Sequence, residues 1–407
     1  MLGERIRQIR KSKKMTLEAL AGAELTKGML SLIENNKANP SMESLNYIAK
    51  RLGVEITDLL EEVSSIELRD ILEKAEKLFN TDQKKLPDKH KQLITLIEPH
   101  ISNLPQGYEG ARLLDIFGRS LCLEKQEGWE NYYQRAAAIY DDMNLTAKRA
   151  GIGIFRAMVK FIEHHYSDSL HILLSERGDI EARHAYMDPM TRVDFDYHEA
   201  ILHFATGDST SAEDVMEKAI QYSKEHRIYY RIDDLYRLAC LHAIMKKDLE
   251  KKNYYQTKLK LFGEFAEDQN AIVFYDFFEV MCLISEDQNY RKALEIIETH
   301  LLDPKMEEYY GLWYPEKGKA LYGLGKFAEA LHYFDKVEIP DYAHHPFDLS
   351  LLYIVDSYKA LCHMEMENAE EAVQLAKRAV ENLAPLPDTL YKNFAIDTYH
   401  SIKTNIR

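Results

Sequence analysis

Eleven prolines and 17 glycines in 407 residues leave little material for turns, which excludes a collagen-like, low-complexity or short-stranded all-β chain. The four cysteines (Cys122, Cys240, Cys282, Cys362) stand far apart with no C-x-x-C pair, so neither a disulfide framework nor a zinc site is expected. No apolar run approaches the roughly 18 residues of a membrane span. The opening MLGERIRQIRKSKK is basic and lacks the apolar core of a secretion leader. A cytosolic chain with no membrane partner is expected.

Catalytic signatures are missing as well. His198 and His203 flank Glu199, but histidines five apart lie about 140° apart around a helix, whereas a metal motif needs i, i+4 on one face. The glycines from Gly318 to Lys326 lack phosphate-loop spacing, and Gly151 and Gly153 have no third glycine or preceding strand. His164-His165 and His344-His345 have no carboxylate or cysteine at ligand spacing, and no Ser or Cys stands in a nucleophile motif. These patterns give no positive case for an enzyme, a metal or a cofactor.

What the chain does have is a divided charge. Residues 1–52 carry ten Lys/Arg against five acids, a net of +5, so within the total of −15 the remainder carries −20. A small basic head on a large acidic body implies that only the head approaches a polyanion. Residues 1–62 read as five short helices. Leu2, Ile6, Ile9 and Arg10 open a periodicity of three to four, and Thr16 caps a second helix with Leu17, Leu20 and Ala21. Thr26 caps a third with Leu30 and Ile33 inward, and Ser41 a fourth with Leu45, Ile48, Ala49 and Leu52, stopped by Gly53. Ile56, Leu59 and Leu60 make the last. Gly22–Leu25 is a turn of the length that a helix-turn-helix requires.

This run resembles the phage-repressor (XRE) class of helix-turn-helix domains. The matching residues are Gly3-Glu4-Arg5-Ile6-Arg7, Met15-Thr16, Leu20-Ala21, Leu25-Thr26, Ser31, Ile33-Glu34, Lys37, Pro40-Ser41, and Leu45 through Ile48-Ala49 to Leu52-Gly53-Val54. The resemblance implies that the helix starting at Thr26 enters the major groove of double-stranded DNA. Lys27, Gly28, Ser31 and Leu32 then face the bases, Lys27 first and Ser31 second in direct readout. Asn35, Lys37, Arg7, Arg10 and Lys11 face phosphates. Two residues depart from the class: Leu17 replaces a phosphate-touching Gln, and Asn36 replaces a Gly at a position where Asn tolerates the left-handed backbone.

From Ser64 and Ser65 a helix carrying Ile66, Leu68, Ile71, Leu72, Ala75 and Leu78 reads as a linker over 63–82, with the body over 83–407. The body is repetitive. Its clearest unit runs from Glu316 to Lys336 and resembles a tetratricopeptide (TPR) repeat, with Gly318 at the close helix contact, Gly325 in the turn, Phe327 filling the gap, and Ala330 and Phe334 on the inner stripe of the second helix. Weaker copies of that stripe appear at Tyr132/Ala136, Ser169/Leu173, Ala212/Met216, Lys251/Tyr255, Ala293/Ile297 and Ala372/Ala376. The fold class is all-α: a five-helix phage-repressor-like head followed by a right-handed TPR-like solenoid. Extending the register from Gly318 turns Asp194, Tyr197, Asp233, Tyr236, Tyr275 and Phe278 toward the concave face, with Trp313 at the matching opening turn. Rings and carboxylates on one groove suit an extended peptide. For each ring the alternative is that it fills a gap between helices.

An XRE-type head on a long TPR body resembles the RRNPP group of peptide-responsive quorum-sensing regulators, most closely its NprR branch. The resemblance implies a cytosolic receptor for a short signalling oligopeptide. It also implies a homo-oligomer that places two heads on a pseudo-palindromic operator and is biased by peptide toward one state. Two rivals remain open at this stage. One is an adaptor that binds a phosphorelay response regulator through helices within about 66–180; the other is a phosphatase acting on phospho-aspartate.

Overall fold

The computed structural model describes residues 2–56, 59 and 65–405. Every regular element among them is a helix, and none is long and apolar enough to cross a membrane. The expected caps of the head all form. Helix α1 (Leu2–Ser12) is followed by α2 (Leu17–Ala21), α3 (Lys27–Glu34) and α4 (Met42–Leu52). The hydroxyls of Thr16, Thr26 and Ser41 accept from the N–H groups of Ala19, Met29 and Ser44, each satisfying an otherwise orphaned donor. Gly53 ends α4 in the left-handed region. Ile6, Leu20, Leu30, Ile33, Leu45, Ile48, Leu52 and Leu59 fill one small core. Leu60, Ser64 and the side chains of Ser65 and Ile66 lie outside the described residues.

Asn36 takes φ 57°, the left-handed turn anticipated for it. Its side chain does more than tolerate the turn: Oδ1 accepts from the Gly3 N–H at 2.9 Å. Gly3 is there because a Cβ would stand 1.9 Å from the Ile33 carbonyl oxygen.

The chain divides into two compact units, Met1–Ile152 and Gly153–Arg407. In the first, α5 (Ser65–Phe79) is followed by α6 (Lys89–Ile97), a 3₁₀ turn (Glu98–Asn103), α7 (Tyr108–Leu123) and α8 (Trp129–Asp142). The helix expected as a linker is built into this stack, since Glu76 on α5 takes both ends of the Arg112 fork from α7 at 2.6 and 3.0 Å. Arg112 also pairs with Asp115 at 2.6 Å, so the buried guanidinium is fully engaged.

Helix α9 (Thr146–Ile162) begins in the first unit and ends in the second. The second continues through α10 (Tyr166–Arg183), α11 (Pro189–Ala205), α12 (Ser209–His226), α13 (Ile232–Lys246), α14 (Leu249–Ala266), α15 (Gln269–Ser285) and α16 (Tyr290–Leu301). A 3₁₀ turn (Pro304–Tyr309) leads to α17 (Tyr310–Gly323), α18 (Phe327–Phe334), α19 (Pro346–Tyr353), α20 (Val355–Glu365), α21 (Ala369–Leu383) and α22 (Leu390–Asn405). The repeat stripe is real: Ala136, Leu173, Ala212, Met216, Ala293, Ile297, Ala330, Phe334, Ala372 and Ala376 are all buried. In two copies it shifts by one, Tyr133 and Lys252 taking the buried places expected of Tyr132 and Lys251. The close helix contact recurs in both units. A Cβ on Gly118 would stand 2.5 Å from the Tyr133 ring, and one on Gly318 2.4 Å from the Phe334 ring.

The second unit turns back on itself. The Tyr166 hydroxyl donates to the His344 carbonyl at 2.7 Å, His345 Nε2 lies 3.3 Å from the Ile201 carbonyl, and Phe161 packs on both imidazoles. Residues more than a hundred positions apart are thereby joined directly, and the faces of α11 and α13 look toward the start of α19.

Candidate functional site

On α3, Leu30, Ile33 and Glu34 point into the head. At 100° per residue Gly28, Leu32 and Asn35 lie opposite, with Met29 and Ser31 on the flanks. All but the partly buried Ser31 are exposed. Around Gly28 the space is open, since a Cβ added there would have no atom within 4 Å, and the main chain is accessible to a ligand. Gly22, φ 55°, makes the turn into α3, and a Cβ on it would strike the Tyr47 hydroxyl at 2.2 Å. Arg7, Lys11 and Lys37 are exposed on the head. Lys27 turns sideways to the Glu18 carboxylate on α2 and holds that carboxyl below its ordinary value. Met29, which the sequence did not single out, belongs to the exposed face; its place beside Leu32 at i, i+3 was the available signal.

Arg10 requires a correction. Its Nε and Nη2 donate to the two oxygens of Glu34 at 2.6 and 2.8 Å, and its Nη1 donates to the Met15 carbonyl at 2.8 Å. A buried fork with every arm occupied does not reach a phosphate; Arg10 ties α1 to α3.

In the second unit the predicted groove residues separate. Asp194 and Tyr197 sit together on α11, where Asp194 accepts from Arg231 at 3.0 Å and the guanidinium lies 4.9 Å over the Tyr197 ring. The ladder continues through Asp234, which pairs with Arg231 at 3.1 Å and with Arg237 at 2.8 Å. Arg237 in turn covers the Phe274 ring at 4.5 Å. Asp233 stands beside this ladder, its carboxyl raised by burial and by neighbouring Asp234. Tyr236 faces the other way and packs against Tyr255 of α14. Tyr275 lies under Lys260 of the same helix. Phe278 and Trp313 are 2% and 0% exposed in the main core, so neither offers a surface to a ligand. The residues that replace them on the facing stripe are Asp234, Arg237 and Phe274.

Across from this stripe is the start of α19. Asp348 is exposed at the surface, where desolvation by the surrounding chain raises its carboxyl while His345 and Arg237 pull it down. His345 caps α19: its Nδ1 accepts from the Phe347 N–H at 3.1 Å, which places the ring proton on Nε2 facing the Ile201 carbonyl. Burial lowers the pKa of His345, and the same cause leads at His198 and His344. The fold thus favours neutral imidazole. The stabilisation is complete above the unfolded value of about 6.5 and is lost as pH falls through the lowered folded value. Thermal melts from about pH 7.5 down to about pH 5.5 are expected to show a falling transition temperature. His345→Asn, which caps without titrating, should flatten part of that slope; an unchanged slope would place the titration elsewhere.

Among the described residues no group of His, Cys, Asp and Glu is arranged to hold a metal ion. His198 Nδ1 donates to the Asp194 carbonyl at 2.7 Å, and His203 lies near Glu199 and Asp208. Their separation around α11 is the one that the spacing dictated.

Residues 3–65 match the family model of a helix-turn-helix domain. Over nearly the same stretch, the HTH-type transcriptional regulator DdrOP3 of Deinococcus deserti is 38% identical across 63 residues, covering 15% of this chain and 49% of that one. The immunity repressor protein of Bacillus phage phi105 is 36% identical across 66 residues, covering 16% and 46%. The chain spans about half the length of these curated relatives. Among solved structures, PlcR of Bacillus thuringiensis in complex with the peptide PapR7 and DNA superimposes with a TM-score of 0.35 at 17% identity, covering 65% of this chain and 95% of that one. ComR of S. thermophilus in complex with DNA and its signalling peptide gives 0.30 at 20% identity, covering 70% and 99%. Similarity at this level leaves the ligand of the second unit to be argued from its own side chains.

Proposed function

We propose that the chain is a DNA-binding transcription regulator whose helical body senses a short oligopeptide. The observation that carries the first half is α3, an exposed helix presented by a short Gly22 turn in a segment that matches a helix-turn-helix domain, with Arg7, Lys11 and Lys37 exposed on the same head. Gly28, Leu32 and Ser31 take the base edges; Lys37, Arg7, Lys11 and Asn35 take phosphate. Two heads in a homo-oligomer would read the two halves of a pseudo-palindrome.

The second half rests on the ladder from Asp194 to Arg237. Charged groups of both signs, the partly buried Phe274 ring, and the accessible Asp348 opposite them suit an extended peptide with polar and apolar side chains. A peptide that binds one arrangement of this self-contacting unit more tightly than another would shift its population, and with it the placement of the heads.

The test is selection from a random duplex DNA pool with the full-length protein at near-physiological salt, with and without heptapeptides retained from a random library. Enrichment of a pseudo-palindrome, altered by the retained peptides, is expected. Lys37→Ala should lessen the salt dependence of affinity by a slope of about one, and Arg237→Ala should abolish peptide retention. No enriched duplex from folded protein would end the DNA reading, and retention that ignores Arg237 would end the groove assignment.

A further inference from the structure

We propose that the head recognises its DNA through the C5-methyl groups of thymine, with Leu32 and Met29 closing over them while Gly28 lets the main chain of α3 approach the base edges. The inference rests on the DNA-binding reading above and names the chemistry of the half-site.

The hydrogen-bonding side chains of α3 lie to the sides of its outward face: Lys27 forms an exposed ion pair with Glu18, and Ser31 is a partly buried flank residue. The Asn35 side-chain amide donates at 2.7 Å to the Ser31 carbonyl of its own helix. No Arg or Gln stands on α3, so the bidentate reading of guanine by Arg and of adenine by Gln is absent from this helix. What the face does present is apolar: Met29 is 46% and Leu32 45% exposed, one turn apart and adjoining the bare main chain at Gly28.

In the major groove, thymine alone among the four bases carries an apolar group, its C5-methyl. The exposed cations of the head and the net charge of +5 over residues 1–52 fit a polyanion as the occupant of this face. A second basic head would instead meet like charge. The contact read here is dispersion and desolvation rather than a hydrogen bond, so it discriminates a methyl from a hydrogen.

The experiment uses the duplex enriched from the random pool by full-length protein. Each thymine of one half-site is replaced in turn by deoxyuridine, which removes the methyl and leaves every hydrogen-bonding group in place. At one or two positions affinity should fall about four-fold per methyl, the factor for returning one such group to water. Leu32→Ala and Met29→Ala should each bind the thymine duplex more weakly and lose their sensitivity to uracil at one position. Both residues are exposed, so the variants are expected to fold, and unchanged melting of the protein checks this. Full tolerance of uracil at every position, or an enriched half-site with no thymine at its centre, overturns the proposal while leaving DNA binding intact. Failure to enrich any duplex removes the DNA reading and this inference together.

Discussion

Arg10→Ala is expected to unfold the head and abolish DNA binding while the second unit melts as before. The substitution leaves the Glu34 carboxylate, 3% exposed, without the fork that holds both of its oxygens. Removing one partner of a buried pair costs about 3–5 kcal/mol. At roughly 0.05–0.15 kcal/mol per residue, a head of some 60 residues has little more than that to lose. Amide hydrogen exchange read helix by helix separates the outcomes: protection should vanish over α1–α4 and persist over α11–α17. Arg10→Met combined with Glu34→Leu, which removes both charges at similar volume, should restore protection. If Arg10→Ala keeps the head protected but binds DNA weakly, Arg10 touches phosphate after all, and the ion pair seen here breaks on binding.

Trp313→Ala should lower the melting temperature of the protein by on the order of 10 °C, from a loss of about 3–5 kcal/mol spread over a unit of this size. The indole is wholly buried, stacked on the His300 ring at 4.4 Å and set edge-on to Phe277 at 6.0 Å. His300 is held in place by Asp276 at 2.8 Å. The indole N–H has no acceptor among the described residues, so Trp313→Phe, which removes that buried donor and keeps a ring, should cost much less than the alanine change. Calorimetry measures both. At a temperature where Trp313→Ala remains folded, its peptide affinity should equal that of the parent; a selective loss of affinity without a loss of stability would restore Trp313 as a ligand contact.

The head was legible almost to the residue because its information is local. Thr16, Thr26 and Ser41 act within three residues, and Gly22, Asn36 and Gly53 fix single backbone angles. Arg10 escaped because its partner lies 24 positions away, and a basic residue at the end of a basic helix reads as surface. The stripe of each second helix was also legible, since small residues repeat there at fixed spacing. The facing stripe was not, because a helix rotates by 100° for every residue in the connection before it. A register carried from Gly318 lands on Asp233 and Tyr236, one residue before the paired Asp234 and Arg237, and on Tyr275, one residue after Phe274, while Asp194 and Tyr197 fall on the ladder itself. The alternation of Arg231, Asp234 and Arg237 at i, i+3 was the mark that could have corrected it.

The contact that brings His344 and His345 back to Phe161, Tyr166 and Ile201 has a kinetic consequence. An open array of repeats folds as a nearly one-dimensional system, in which any pair nucleates and neighbours add in turn. Joining residues 144 and 178 positions apart adds contacts of very high order, whose loop entropy is lost before any packing is gained. The last step of assembly is then the joining of two ends that already exist, slower than the zipping before it. Melting should be correspondingly all-or-none over the second unit, with α9 and α19 losing protection together despite their distance along the chain.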